Sequence, residues 1–164
     1  MPHPVAPRLV LDTNTVMALW FFEDPKLARL RRTIEDAPLP LIARADALEE
    51  LRRVLAYRQF GASPERQREI LTGYAARVTA IADRVLPATT CDPAPALPAL
   101  PALPALPACR DRDDQKFLEI ARDGGATHLI SRDKALLKLN RHRLLRPLFA
   151  VVTPEAFAEA LGDD

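Results

Sequence analysis

Four acidic residues stand out by their neighbours. Asp12 ends the apolar run Leu9-Val10-Leu11, Glu50 lies in a charged amphipathic stretch, Asp114 opens another, and Asp133 stands one residue beyond Thr127–Ser131. Carboxylates gathered in one cleft repel and desolvate one another, and a hard divalent cation is the usual remedy. Mg²⁺ or Mn²⁺ takes oxygen donors, keeps several waters and leaves room for a phosphate, and it can lower the pKa of a water and neutralise charge at phosphorus. No softer site competes: Cys91 and Cys109 fit no zinc spacing, and His3, His128 and His142 show no relation to one another or to a nucleophile. The residue types therefore point to phosphate-ester chemistry rather than to acyl transfer or redox work.

The elements that would have to position these acids alternate along the chain. Arg8 to Leu11 reads as a buried strand, followed by a helix over Asn14–Phe22 with Thr13 or Asp12 as its N-cap. Asp24-Pro25 starts a second helix to about Asp36, residues 38–43 give a turn and a short strand, and residues 45–57 an amphipathic helix. Ser63-Pro64-Glu65 opens a helix predicted to run to Asp83, with a brief strand at Val85-Leu86. Helix returns over Asp113–Arg122 and is stopped by Gly124-Gly125. Strand Thr127–Ser131, helix Asp133–Leu139, strand Ala150–Thr153 and helix Pro154–Leu161 complete the series. Such alternation predicts a single three-layer α/β/α domain with a central parallel sheet covered on both faces. Right-handed crossovers place helix starts at the carboxyl edge of that sheet, where open α/β sheets bind ligands.

Taken singly, each acid has a plainer reading: Asp12 and Asp133 as N-caps, Asp114 as a partner of the helix dipole, Glu50 as surface charge beside Glu49. Their order carries more. The stretches LVLDTN, ALEELRRVL, DRDDQKFLEIA and HLISRDKALL resemble the four acidic motifs of PIN domains, and the nearest likeness is to the VapC-like toxin components of bacterial toxin–antitoxin pairs. The resemblance runs from about residue 8 to residue 157.

It implies a Mg²⁺- or Mn²⁺-dependent endoribonuclease with a four-carboxylate site. Asp12, Asp114 and Asp133 would hold metal, Glu50 would bind metal through water or orient the nucleophile, and Asn14, Ser131 and Asp111 would support them. Glu50 is preferred to Glu49 because it directly precedes LRRVL. Water activated by metal would attack in line without a covalent intermediate, leaving a 5′-phosphate and a 3′-hydroxyl. The same likeness implies an RNA substrate, a cognate antitoxin protein and a homodimer. Three departures are visible: Arg44 stands where Ser or Thr often opens the glutamate helix, Asp111 and Asp113 crowd the third motif, and a proline-rich insertion enters just upstream of Asp111.

Arg132, Lys134, Lys138, Arg141, His142, Arg143 and Arg146 follow the fourth motif and read either as a track for an RNA backbone or as a solvated basic face. A phosphatase of the haloacid-dehalogenase type also begins from an Asp ending its first strand, but it needs a second Asp where Asn14 stands. A PIN-like scaffold that binds RNA or protein without cutting is the other alternative.

Composition sets the outer bounds. A chain of 164 residues, 48% hydrophobic and 27% charged, can bury a core without disulfides or structural metal. The net charge of +1 neither demands nor excludes nucleic acid. Of 23 cationic residues only Lys26, Lys116, Lys134 and Lys138 are lysines, and abundant Arg, Ala, Leu and Pro together fit a GC-rich gene. No apolar run reaches the roughly 20 residues that span a bilayer, and the N-terminus lacks a signal-peptide layout, so the expected location is the cytoplasm. The insertion, residues 92–108, repeats Pro-Ala-Leu with the three-residue period of polyproline II. It reads as an apolar partner-binding rod of about 45 Å or as a tolerated surface insertion. Cys91 and Cys109 flank it, and a disulfide closing that loop is geometrically open.

Overall fold

The structure, a computed structural model, describes residues 6–37, 39–83 and 102–162. In chain order its elements are β1 (Leu9–Leu11), α1 (Thr13–Val16), α2 (Ala28–Asp36), β2 (Leu41–Arg44), α3 (Ala45–Leu55), α4 (Pro64–Arg77), β3 (Val78–Ile81), α5 (Gln115–Asp123), β4 (His128–Ile130), α6 (Lys134–Leu139), β5 (Ala150–Val152) and α7 (Pro154–Ala160). The five strands form one parallel sheet in the order β3-β2-β1-β4-β5.

Alternation along the strands divides the core in two. Leu9 and Leu11 of β1, with Leu41 and Ile130 of its neighbours, face a cluster built from Leu27, Leu30, Ile34, Leu51, Leu55, Ile70, Tyr74 and Phe157. Val10, Ile42, Leu129 and Val151 face the opposite way, onto Phe117, Leu118, Ile120, Ala121, Leu136 and Phe149. The period of two in a strand sends successive side chains to opposite faces, so a sheet covered on both sides must be apolar at every position. The expected three-layer α/β/α arrangement with a central parallel sheet is what the chain forms.

Two elements differ from the reading of the sequence. The helix from Ser63 ends at Arg77, and Val78–Ile81 is an edge strand registered Leu41↔Val78 through Arg44↔Ile81. Ile70, Tyr74, Val78 and Ile81 are spaced as a helix face, which is why the helix extends in the sequence reading. The β-branched Val78, Thr79 and Ile81 instead complete the open edge of β2. The strand expected at Val85-Leu86 lies outside the described residues. The first helix also changes pitch, with α1 widening at Met17–Phe21 into π-type turns.

The described end of the Pro-Ala-Leu insertion lies along α5. Arg122 Nη1 donates to the Pro104 carbonyl at 3.2 Å, Gln115 Nε2 donates to the Pro107 carbonyl at 3.2 Å, and Cys109 N–H donates to Gln115 Oε1 at 2.6 Å. Leu106 packs against the second core cluster, and Cys109 is a buried free thiol. Residues 92–101 and Cys91, and with them the disulfide weighed above, lie outside the described residues. Among the described residues no helix is long and apolar enough to cross a membrane.

The stop of α5 is a packing constraint as well as a cap. Gly125 takes the left-handed conformation at φ +61, while Gly124 brings the helix end against β2: a Cβ there would stand 2.6 Å from Ile42 Cγ2 and 3.0 Å from the Ile120 carbonyl. Gly124→Ala is expected to lower the unfolding free energy by about 1–3 kcal/mol. Combined with Ile42→Ala, its loss should be clearly less than additive in urea melts, and strict additivity would remove this contact as the cause.

Candidate functional site

The sheet order places a topological switch between β1 and β4, where connections leave in opposite directions and ligands collect in α/β folds. The register Leu11↔Ile130 sets Asp12 beside Ser131 at that switch. Asp12 is 3% exposed. Its Oδ1 accepts from Thr15 N–H at 2.7 Å, which caps α1, and its Oδ2 accepts from the Ser131 hydroxyl. Ser131 Oγ accepts in turn from Asp133 N–H at 2.9 Å, and Asp133 Oδ1 caps α6 through Ala135 N–H at 2.8 Å and Leu136 N–H at 3.0 Å. Burial pushes the Asp12 carboxyl above its usual range, against the bonds from Ser131 and Thr15, and the charge of Asp133 adds to the rise.

Asp114 behaves differently. It occupies the N-cap position of α5 in a helical conformation, yet its side chain makes no cap bond. Its pKa is pushed up to about 6, first by burial and then by the charges of Asp133, Asp111, Asp12 and Glu50. The other three acids of the motifs, and Asp111, therefore all act electrostatically on Asp114.

Glu50, on α3, accepts from the Thr13 hydroxyl at 2.7 Å and pairs with Lys116 Nζ. Glu49 also lines the cleft beside Glu50, but its carboxylate is held by Arg52 at 2.7 Å and Arg53 at 3.1 Å. Asp111 is exposed and accepts from Asp113 N–H at 2.9 Å, while Asn14 is exposed beside Thr13. Among the described residues no three His, Cys, Asp or Glu side chains stand in a ready metal cage.

Two clefts open beside these acids. One of about 490 Å³ is lined by Glu50, Asp114, Asp111, Arg53 and Tyr57. The other, about 700 Å³, is lined by Arg44, Asp46, Arg112 and the end of the insertion at Leu106, and Lys116 borders both. Arg44 is 7% exposed. Its guanidinium binds Asp46 at 2.7 Å, Glu119 of α5 at 3.1 Å and Asp83 at 3.2 Å, so three segments meet on one cation. The Asp46 bond, more than any other contact, raises the Arg44 pKa, and Arg44 lowers that of Asp46. In place of the Ser or Thr expected there, the chain has a structural cross-link.

The basic run divides. Arg132 is held by Asp24 at 2.8 Å and by Glu155, tying the β4–α6 turn to α7, and so does not stand with the other cations. Lys134, Lys138, Arg141 and Arg143 are exposed, with no salt bridge among the described residues. His128 packs edge-on against Phe157, 5.1 Å between ring centres, and its Nδ1 shares a hydrogen bond with the Thr127 hydroxyl at 2.8 Å.

The sequence reading missed Thr13 and Lys116. Both signals were in plain view, a hydroxyl next to Asp12 and a lone lysine two residues past Asp114, but neither belongs to a metal-ligand pattern.

The family model for the PIN domain matches residues 8–135. No curated protein and no solved structure matches the chain.

The raised Asp114 pKa fixes a pH dependence. A native pKa of about 6 against an ordinary 3.8 means the folded chain holds this proton more tightly than the unfolded one. The group's contribution to stability is therefore present below about pH 4 and lost as pH rises toward 6. Asp114→Asn removes the repelled charge and is expected to be more stable than wild type at pH 7 by about 1–2 kcal/mol, allowing for the half-open site. The difference should close by pH 4. Urea melts in chelator at the two pH values measure it, and equal stabilities at pH 7 would mean that neither burial nor its neighbours destabilise the Asp114 carboxylate.

Proposed function

The chain belongs to the PIN-domain family, whose model covers residues 8–135 of its 164, and from the nuclease chemistry typical of that family we propose a metal-dependent endoribonuclease. The observation that supports this best is Asp114: a half-buried carboxylate, unused as a cap, whose pKa is raised to about 6 by burial first and then by four other acids. A purely structural acid at a helix start would cap it, as Asp12 and Asp133 do.

The donor set fits Mg²⁺ or Mn²⁺. It is all oxygen, and it includes an Asp114 carboxylate that caps nothing and an Asp133 whose two cap bonds both fall on Oδ1. An octahedral Mg²⁺ needs only one or two protein carboxylates and keeps water elsewhere, so a preformed three-ligand cage is not required. Asp114 and Asp133, with Asp12 behind them, would hold the cation. When bound it would lower the pKa of a water and offset charge developing on phosphate.

The remaining work falls to the chain. Ser131 and Thr15 keep Asp12 from rotating. Glu50, steadied by Thr13, orients the attacking water and can accept its proton. Lys116 supplies a fixed positive charge at the border of both clefts, against which a non-bridging phosphate oxygen can rest. Water attacks phosphorus in line, the bond to the 3′ oxygen breaks, and a 5′-phosphate and a 3′-hydroxyl are left. Lys134, Lys138, Arg141 and Arg143 would follow the backbone of the strand. The likeness of the four acidic stretches to toxin components supports a place in a toxin–antitoxin pair, with a cognate antitoxin and a homodimer as its setting.

The test is cleavage of a mixed single-stranded RNA pool by wild type and Asp114→Asn, with Mg²⁺ or Mn²⁺ and with chelator. Cleavage should require the cation and fall by roughly a hundredfold or more in the variant, as expected when an electrostatic centre is removed. If both proteins are equally silent, the scaffold reading replaces this one. If the variant cuts like wild type, Asp114 leaves the site.

A further inference from the structure

Next to the acidic cleft the surface carries an aromatic group that core packing explains only in part, since Phe21 and Phe60 rest on the first core cluster while two rings stay exposed. Phe22 and Tyr57 are the exposed large hydrophobic side chains among the described residues, at 56% and 51%. They are joined through Phe60: Phe22 and Phe60 ring centres lie 5.6 Å apart, and Tyr57 stacks on Phe60 at 6.3 Å with planes 19° apart. Phe21 locks the far side, 4.9 Å from Phe22 and 5.6 Å from Phe60. The rings come from two separate pieces of chain: the end of the π-type turns at Phe21-Phe22, and Tyr57 with the 3₁₀ turn Arg58–Phe60 that it caps and that left-handed Gly61 closes. Each holds the next, so the shelf is preorganised.

Its position decides what it is for. Tyr57 lines the same cleft as Glu50, Asp114 and Arg53. It stands two residues beyond the end of α3, the helix that carries Glu50, and caps the 3₁₀ turn that holds Phe60. One face of its ring is covered by Phe60, and half its surface remains exposed.

We propose that Tyr57, backed by Phe60 and flanked by Phe22, is a stacking site for an unpaired nucleobase of the strand cut in the adjoining cleft. This rests on the nuclease reading above and narrows its substrate to single-stranded RNA. Bases in a single strand splay out and stack on aromatic rings, whereas paired bases have no free face to offer. The phenol suits a half-wet position, apolar on the ring and polar at its tip. A second copy of the chain is a poorer occupant. Two half-exposed rings offer on the order of 200 Å², about a quarter of the roughly 800 Å² per partner that a stable interface buries, and the surround at Glu50, Asp114 and Arg53 is charged.

The test measures binding in Mg²⁺ by the full-length Asp114→Asn chain, which does not cleave under the reading above. The probes are a fluorescent ten-nucleotide single-stranded RNA of mixed sequence and a duplex RNA. Adding Tyr57→Ala should weaken single-strand binding roughly 5- to 150-fold, Tyr57→Trp should restore it, and duplex binding should not change. Tyr57 is half exposed, so loss through misfolding is not expected, and matched thermal melts check this. Equal affinity of the Tyr57→Ala and parent chains for single strands overturns the proposal, as does a Tyr57→Ala effect confined to the sedimentation mass, which would assign the shelf to a second copy. If wild type cuts RNA and Tyr57→Ala changes neither binding nor KM, the stacking site fails alone. If no RNA is bound or cut by any form, the nuclease reading fails and the stacking site with it.

Discussion

A carboxylate buried as deeply as Asp12 is destabilising unless donors meet both of its oxygens, and the way this chain meets that need organises the whole carboxyl edge of the sheet. One oxygen is served by Thr15 N–H, which starts α1 at the end of β1; the other is served by Ser131, which requires β4 to lie beside β1 in the observed register. Ser131 then receives Asp133 N–H, and Asp133 starts α6. Satisfying one buried charge thus fixes two helix starts, one strand pairing and the turn between them. The nuclease reading takes advantage of an acid that the fold has already made immobile.

Around this fixed point the charges are balanced by a few cations with distinct duties. Lys116 meets Glu50, Arg44 joins Asp46, Glu119 and Asp83, and Arg132 joins Asp24 and Glu155. Arg44 and Arg132 are braces between elements distant in sequence. Lys116 differs because it borders both clefts and sits on the helix that begins with Asp114. A cation in that place makes the crowding of acids tolerable in the native chain, while Asp114 itself stays repelled.

Much of this was legible in the sequence because its signals are local. Asp12, Asp133, Ser63-Pro64 and Thr153-Pro154 announce helix starts by cap chemistry, and Gly124-Gly125 announces a stop. The parallel sheet followed from apolar runs too short for helices and bounded by those caps. What was not legible depends on partners far away in the chain. Val78–Ile81 shares the spacing of the helix before it, and only the open edge of β2 makes it a strand. Arg44 gave no sign of bracing α5, since Glu119 lies 75 residues away. The aromatic shelf assembles from residues 21, 22, 57 and 60, and neither half is notable by itself.

The seating of the insertion's end on α5 bears on how this protein can vary. Gln115 and Arg122, one from each end of the helix, grip the chain between Pro104 and Cys109 before it reaches the acids. A chain moored at that point enters Asp114 along a fixed path. Gain or loss of Pro-Ala-Leu units upstream of the mooring changes contour length without shifting the register of the chemistry. The number of repeats ahead of Pro104 is thus a property that selection can adjust independently of the cleft that Leu106 lines.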